Sequence, residues 1–445
     1  MAEKSQCAHF VAGSTMRHVM DMTLTSAIGI MALFLVDLID LFFLSLLKQT
    51  AVTAAIGYAG TIVLFAISVG IGSSIAASVL VAKNVGSGDI DRARDFATNA
   101  LIFSLVISAF ASIAVACASG SFLSILGAEG ETKRLSQTFI WTMIPGYILI
   151  GGELSCAAIL RAIGDARRAM YLTLASAIVT LCADPIFIFS FDLGIQGAAI
   201  ATVLGYLASF SIGVYGVTRL HNFLNPINFD RLKRDLPSIW MIAYPGVLSQ
   251  MTLPFATAYL THLIATYGDA AVAGFAIVCR IIPVAYGIIF ALASAIGPII
   301  GQNYGGGHLN RVRDTLRDGL IFSSIYTLSV SLALFLFRHE IVSLFGATGR
   351  TSDIILFFCT FIAISWAFVG AQYLASAAFN NLGYPKISLA FNWGKATLGT
   401  VPFALLGAKL GGAEGMLVGN AVGAVIFGVA AIVSAYWVIN HSEIR

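Results

Sequence analysis

Twelve apolar stretches, each long enough to cross a bilayer, follow one another along this chain, and nothing else in it restricts the fold so strongly. They fall at about 19–47, 53–82, 96–120, 136–160, 169–191, 194–218, 238–266, 270–300, 319–337, 354–379, 387–408 and 412–438. A spanning helix needs roughly 20 apolar residues. In lipid every backbone N–H and C=O must find its partner within the protein, so only helices and closed barrels cross. Barrel strands would be short and alternating, which leaves an all-α integral membrane protein. Composition agrees: 58% of the residues are hydrophobic and 11% charged, where a soluble domain carries about 25% charged. The polar head from Met1 to His18 leads into a span too long for the apolar core of a signal peptide, so none is expected.

Charge placement predicts the topology. With the amino terminus inside, seventeen Lys and Arg fall in inner loops and tails and six in outer loops, which predicts that both termini are cytoplasmic. The basic loops read as topology signals and imply no nucleic-acid partner. The six cysteines form no C-x-x-C pair and the seven histidines no H-E-x-x-H, so neither a disulfide framework nor a metal centre is expected.

The chain repeats itself. Asn84–Ser104 and Asn303–Ser323, offset by 219, share ten of twenty-one positions, among them Gly86, Gly88, Arg92, Arg94, Asp95 and Leu101–Ser104. At the same offset Gly164 falls on Gly383. Six spans per copy is an even number, so both halves enter from one side and are related by a pseudo-twofold axis along the membrane normal. The expected organisation is an amino-terminal half at 1–218, a cytoplasmic linker at 219–236 and a carboxy-terminal half at 237–445. The glycine loops NVGSGD and NYGGGH follow no strand and lack the G-K-[ST] ending of a phosphate cradle, which argues against ATP as the direct energy source. An enzyme is not expected either, since Asp37 and Asp40 do not form the D-D-x-x-D arrangement that would hold magnesium on a diphosphate.

The halves differ in their acids. Within spans of the first half lie Asp37 and Asp40 in LFLVDLIDLFFLSLL, Glu153, and Asp184 in TLCADPIF; the second half has none comparable. A carboxylate near the bilayer centre costs roughly 2.5–3.5 kcal/mol, so an ion or proton site is the default reading. Thr180 shares a helix face with Asp184, and Pro185 leaves the Leu181 carbonyl without its helical donor. Asp184 and Thr202 each stand nine residues from the turn at Leu193, roughly 14 Å at 1.5 Å per residue, and Asp37 matches that depth in the first span. Asp37, Asp184, Thr180 and Thr202 are therefore the candidate coupling residues. Asp40, Glu153 and Arg280 are possible accessories, Glu153 lying nearer the cytoplasmic end. Lys395 is an intramembrane cation equally compatible with packing and with a cavity.

These features together resemble the multidrug and toxic compound extrusion (MATE) transporters over nearly the whole chain. The resemblance is carried by VD at Val36–Asp37, VLVAKNVGSGD, ADPIFIF followed by LGIQGAAIAT, and RI with GPIIGQNYGGG in the eighth span. It implies cation-driven antiport of bulky, often cationic drugs and organic compounds by alternating access, without a cofactor, by a monomeric protein in the cytoplasmic membrane of a bacterium or archaeon. The chain is most similar to the DinF-type branch, because it lacks the seventh- and tenth-span acids of the NorM type. That branch implies a cation site at Asp37, Asp184 and Thr202, with sodium possible there. Two departures stand out: Thr180 replaces an expected asparagine, and the proline expected early in the first helix is missing, leaving Gly29 as the weak point. A hydroxyl reaches less far than an amide carbonyl, so a proton is the expected coupling ion and sodium the alternative. The competing expectation is a flippase or exporter of a lipid-linked or endogenous metabolite.

Overall fold

The computed structural model describes residues 8–45, 50–125 and 127–441, without the side chains of a few residues between 37 and 61, Asp37 among them. Helices account for almost all of it. α1 (Thr15–Ser45), α2 (Thr50–Gly86) and α3 (Ile90–Ile125) are followed by α4 (Gly130–Thr142), α5 (Ile144–Ala162), α6 (Ala166–Pro185) and α7 (Gly194–Tyr215). The second half holds α8 (Phe229–Gln250), α9 (Thr252–Ala265), α10 (Asp269–Gly305), α11 (Leu309–Leu336), α12 (Arg338–Leu344), α13 (Gly349–Phe357), α14 (Trp366–Asn381), α15 (Pro385–Gly394) and α16 (Val401–His441).

Ten runs of the described residues are long and apolar enough to cross a membrane. The longest, Pro385–His441, turns at Gly411 and Gly412, where Gly412 has φ 64°, and so makes two spans. The remaining span comes in two pieces, α8 and α9, interrupted at Met251. Pro237 and Pro245 inside α8 each remove a backbone donor, which weakens this helix as a single rod. The twelve spans expected from the apolar runs are thus all accounted for.

By packing, the chain forms two units, which are not the two copies of the repeat. The first comprises Met1–Val11 and Ile28–Gln250, the second Ala12–Ala27 and Met251–Arg445. The chain thus passes between units inside α1, next to Gly29, and again where α8 gives way to α9. The repeat itself is visible in the backbone. Gly88 and Gly307 have φ of 82° and 79°, and Gly164 and Gly383 have 91° and 89°. This left-handed conformation is cheap only for glycine, which is why these positions match across the halves.

Unit 1 packs Val79–Ala82, Ala157–Leu160, Leu172, Val217 and Ile239 into one apolar core. Its helices approach closely at small residues: a methyl group at Gly72 would collide with the Val247 backbone of α8. In unit 2, Tyr286 stacks on Trp366 with ring centroids 4.8 Å apart and donates a 2.8 Å hydrogen bond to the Ala363 carbonyl.

Each unit fastens the leading segment of a helix by polar contacts. In unit 1, Asp235 of α8 is fully buried, accepts from Asn99 of α3 at 2.8 Å and pairs with Arg92 at 2.8 Å. Nearby, Asp95 accepts from Asn225 and pairs with Arg231, both at 2.7 Å. In unit 2, Thr15 of α1 donates to Asp318 of α11 at 2.5 Å, and Arg311 donates to the Gly13 carbonyl at 2.8 Å. Asn99 and Asp318 are repeat-related positions, so one contact recurs with donor and acceptor exchanged. Removing one member of a buried ion pair leaves the other uncompensated, so Asp235→Ala is expected to destabilise the fold by about 3 kcal/mol. Thermal unfolding in detergent checks this against Asp230→Ala on the exposed face of α8; equal midpoints for the two variants would refute the assignment.

Candidate functional site

The acids of unit 1 converge where α1 meets the end of α6. Pro185 closes α6, and the chain widens into one π-helical turn, Ile186–Ser190, with Phe191 N–H reaching back to the Ile186 carbonyl at 3.0 Å. Phe189 of this turn meets Phe43 of α1 edge-on, ring centroids 6.2 Å apart. Phe43 also packs against buried Ile188, Ile195 and Ala198. One turn before Phe43 on α1 stands Asp40, and its carboxyl lies within hydrogen-bonding reach of the Asp184 carboxyl.

Asp184 is fully buried, and neither of its oxygens receives a hydrogen bond among the described residues; the same holds for Oδ1 of Asp40. Two ionised carboxylates offer only acceptors to each other. A single proton shared between them turns one into a donor, which gives the pair the chemistry of a proton or cation site.

Of the four candidate coupling residues, the structure brings Asp184 and Thr180 onto one buried face of α6, one turn apart. Thr202 is half-buried on α7, which packs alongside α6, and it donates to the Ala198 carbonyl at 2.9 Å. Its hydroxyl proton is therefore committed to its own helix, and only its lone pairs remain for a ligand. The side chain of Asp37 lies outside the described residues. Asp40, ranked an accessory on sequence, is an acid of α1 that meets Asp184. Glu153 is buried on α5, away from this contact. Arg280 belongs to unit 2 and is exposed on α10. No three His, Cys, Asp or Glu side chains among the described residues could hold a metal ion together.

Sequence reasoning overlooked the small polar residues around the acids. Ser176 continues the face of Thr180 and Asp184 one turn further along α6, and Ser209 is fully buried on α7. Between them α6 and α7 touch at Gly205, where a methyl group would collide with Thr180 Oγ1 and come within 2.9 Å of the Ser176 carbonyl. The spacing Ser176, Thr180, Asp184, at i, i+4, i+8, was a readable signal.

In unit 2 the interior is of opposite character. Lys395 opens a π-helical turn, Lys395–Gly399, between α15 and α16. No ion pair or side-chain hydrogen bond is formed by its ammonium, and no acidic group lies near enough to influence it, among the described residues. Trp393 packs on Phe255 at 5.6 Å, and Gln372 donates to Asn392 at 3.0 Å.

Comparison with known proteins agrees with this architecture. The MatE family profile matches residues 26–186 and 245–406. A curated relative from Shewanella oneidensis named "FAD transporter" is 29% identical over 422 residues, covering 93% of each chain. "Multidrug export protein MepA" of Staphylococcus aureus strain N315 is 23% identical over 408 residues, covering 91% of this chain and 87% of that one. Among solved structures, the Vibrio cholerae MATE transporter VcmN in its bent form superposes with a TM-score of 0.89 at 24% identity, over 96% of this chain and 98% of that one. A Pyrococcus furiosus transporter of the MOP superfamily, whose structure is described under "reverse polarity of binding pocket", gives 0.91 at 22% identity, over 97% and 98%. With more than half its length matched by the family profile and all twelve helices of the fold in place, the chain belongs to the MatE family of multi-pass membrane export transporters and is not an enzyme.

Proposed function

We propose that this transporter is a proton-coupled antiporter of the DinF-type branch, exporting bulky organic compounds, organic cations among them, by alternating access. It works in a bacterial or archaeal cytoplasmic membrane, as a monomer with both termini inside. The observation that carries the reading is the contact of half-buried Asp40 with buried Asp184, two carboxyls without other donors among the described residues. Asp184 with an acid of α1 holds the proton; geometry favours Asp40, and Asp37, one turn earlier, is the other candidate. Protonated, the pair is held by its own hydrogen bond and draws α1 towards α6. Deprotonated, its members repel and attract water or a cationic cargo, so the two states differ in stability and the proton biases them. Thr180 and Thr202 support the site with lone pairs, and they are also what a sodium ion would need in addition to the acids.

Proteoliposomes given separate proton and sodium gradients test this. Ethidium transport is expected to follow the pH gradient, and Asp184→Asn and Asp40→Asn to abolish it while leaving the protein folded. Asp37→Asn, made in parallel, reports which acid of α1 is the partner. Transport that follows sodium at equal pH and ignores a pH gradient would reject the proton.

A second reading, export of an anionic endogenous metabolite, is favoured by Lys395. An ammonium in an apolar span with no acid beside it among the described residues fits an anionic group on the cargo, and one relative of this chain bears the name of a FAD transporter. A lost hydrogen bond to a charged group costs about 1.5–3 kcal/mol, so Lys395→Gln is expected to raise the KM for FAD about tenfold or more and leave ethidium unaffected. Equal KM values for FAD in the two proteins would dismiss it.

A further inference from the structure

Unit 1 carries another buried carboxyl that the Asp40 and Asp184 contact does not use. Glu153 of α5 is 4% exposed, and its Oε2 receives no hydrogen bond among the described residues. Glu153 stands nine residues before the end of α5, Ser176 ten residues into α6, and Ser209 eleven residues before Leu220, where the turn that extends α7 ends. At 1.5 Å per residue all three lie roughly 14–17 Å from the same end of the three helices, in one layer. The Ser209 hydroxyl is near enough to act on the Glu153 carboxyl, yet it makes no aligned hydrogen bond.

Asp184 stands two turns beyond Ser176 on the same buried face, about 12 Å along the helix, and Thr180 occupies the step between. Gly205 leaves the facing position on α7 without a side chain; a methyl group there would strike Thr180 Oγ1 and reach within 3.2 Å of Ser176 Oγ. Ser209 of α7, Tyr147 of α5 and Ser108 of α3 are buried hydroxyls without partners among the described residues. One turn past Ser209 the seam turns apolar, where Gly213 meets Cys156 and Leu172. Folded proteins leave few buried polar atoms unpaired. Unpaired carboxyl oxygens at both ends of a line of hydroxyls, closed beyond by apolar side chains, suit water-assisted proton movement.

We propose that Glu153 is the inner proton acceptor of this transporter, receiving the proton of the Asp40 and Asp184 pair along Thr180, Ser176 and Ser209. This rests on the proton-coupled reading above. The Asp184 carboxyl loses its O–H proton, each hydroxyl or water on the way takes up one proton as it gives up another, and a new O–H bond forms on the Glu153 carboxylate. The charged and titratable groups that act on Glu153 are Arg161, two turns along α5, and Cys156, while α7 brings the Ser209 hydroxyl; among the described residues α2, α3 and α6 contribute no other.

The test compares two transport modes in proteoliposomes with ethidium as the probe. Export driven by a pH gradient requires the proton to cross, whereas ethidium exchange at equal concentrations requires no net proton movement and also reports that the protein is folded. Glu153→Gln is expected to slow driven export about tenfold and to leave exchange unchanged, with Ser209→Ala slowing driven export to a smaller degree. The pH profile of driven export should change shape in Glu153→Gln, which a packing defect would not produce. Driven export equal to wild type in Glu153→Gln, or an equal fall in both modes, overturns the assignment. A wild-type protein that ignores the pH gradient overturns the proton-coupled reading itself, and that result needs no Glu153 variant.

Discussion

Helices in lipid gain nothing from burying apolar side chains against one another, because the surrounding tails are equally apolar. They associate through close packing and the few polar contacts that packing allows. Unit 1 depends on this at three glycines: Gly72 against Val247, Gly205 against Thr180 and Ser176, and Gly213 against Cys156 and Leu172. At each, the neighbouring helix packs nearer than a side chain in the glycine's place would permit. The middle contact also sets the chemistry, since it presses two polar residues of α6 into a seam from which larger side chains are excluded.

In the proposed mechanism that seam is where the intramembrane acids of unit 1 act, beside neighbours able to share or pass a proton. Unit 2 places Lys395 within a span, and its buried acid Asp318 is taken up by Thr15 and Arg317. Differential stability of two states requires that the coupling ion act on one structural element more than on another. A site confined to one unit meets that requirement more directly than one divided equally between them.

Much of this architecture was legible in the sequence. Run lengths gave the spans, and the offset of 219 gave the duplication down to the φ angles of paired glycines. Two things were not. Counting residues from helix ends cannot distinguish Asp37 from Asp40, which stand three residues apart on α1, less than one turn. Nor could it single out Ser176 and Ser209, because serine is common in membrane helices and usually bonds to its own backbone, as Ser211 does to the Leu207 carbonyl at 2.7 Å. What marks the two serines is the carboxyls around them, and that appears only after α5, α6 and α7 are side by side. The passage of the chain from one unit to the other inside α1 was equally hidden, since it interrupts neither helix nor hydropathy.

The exchanged contacts at Asn99 with Asp235 and Thr15 with Asp318 bear on how such a duplicated chain assembles. An internally repeated protein risks docking either leading segment on either unit, for the helices beneath are copies of each other. Here one unit presents an amide to a carboxylate and the other a carboxylate to a hydroxyl. Were the leading segment of α8 to dock on α11, Asp235 would face Asp318 and neither could donate. Two residues thus act as an address, giving each segment one destination in a molecule whose symmetry offers two.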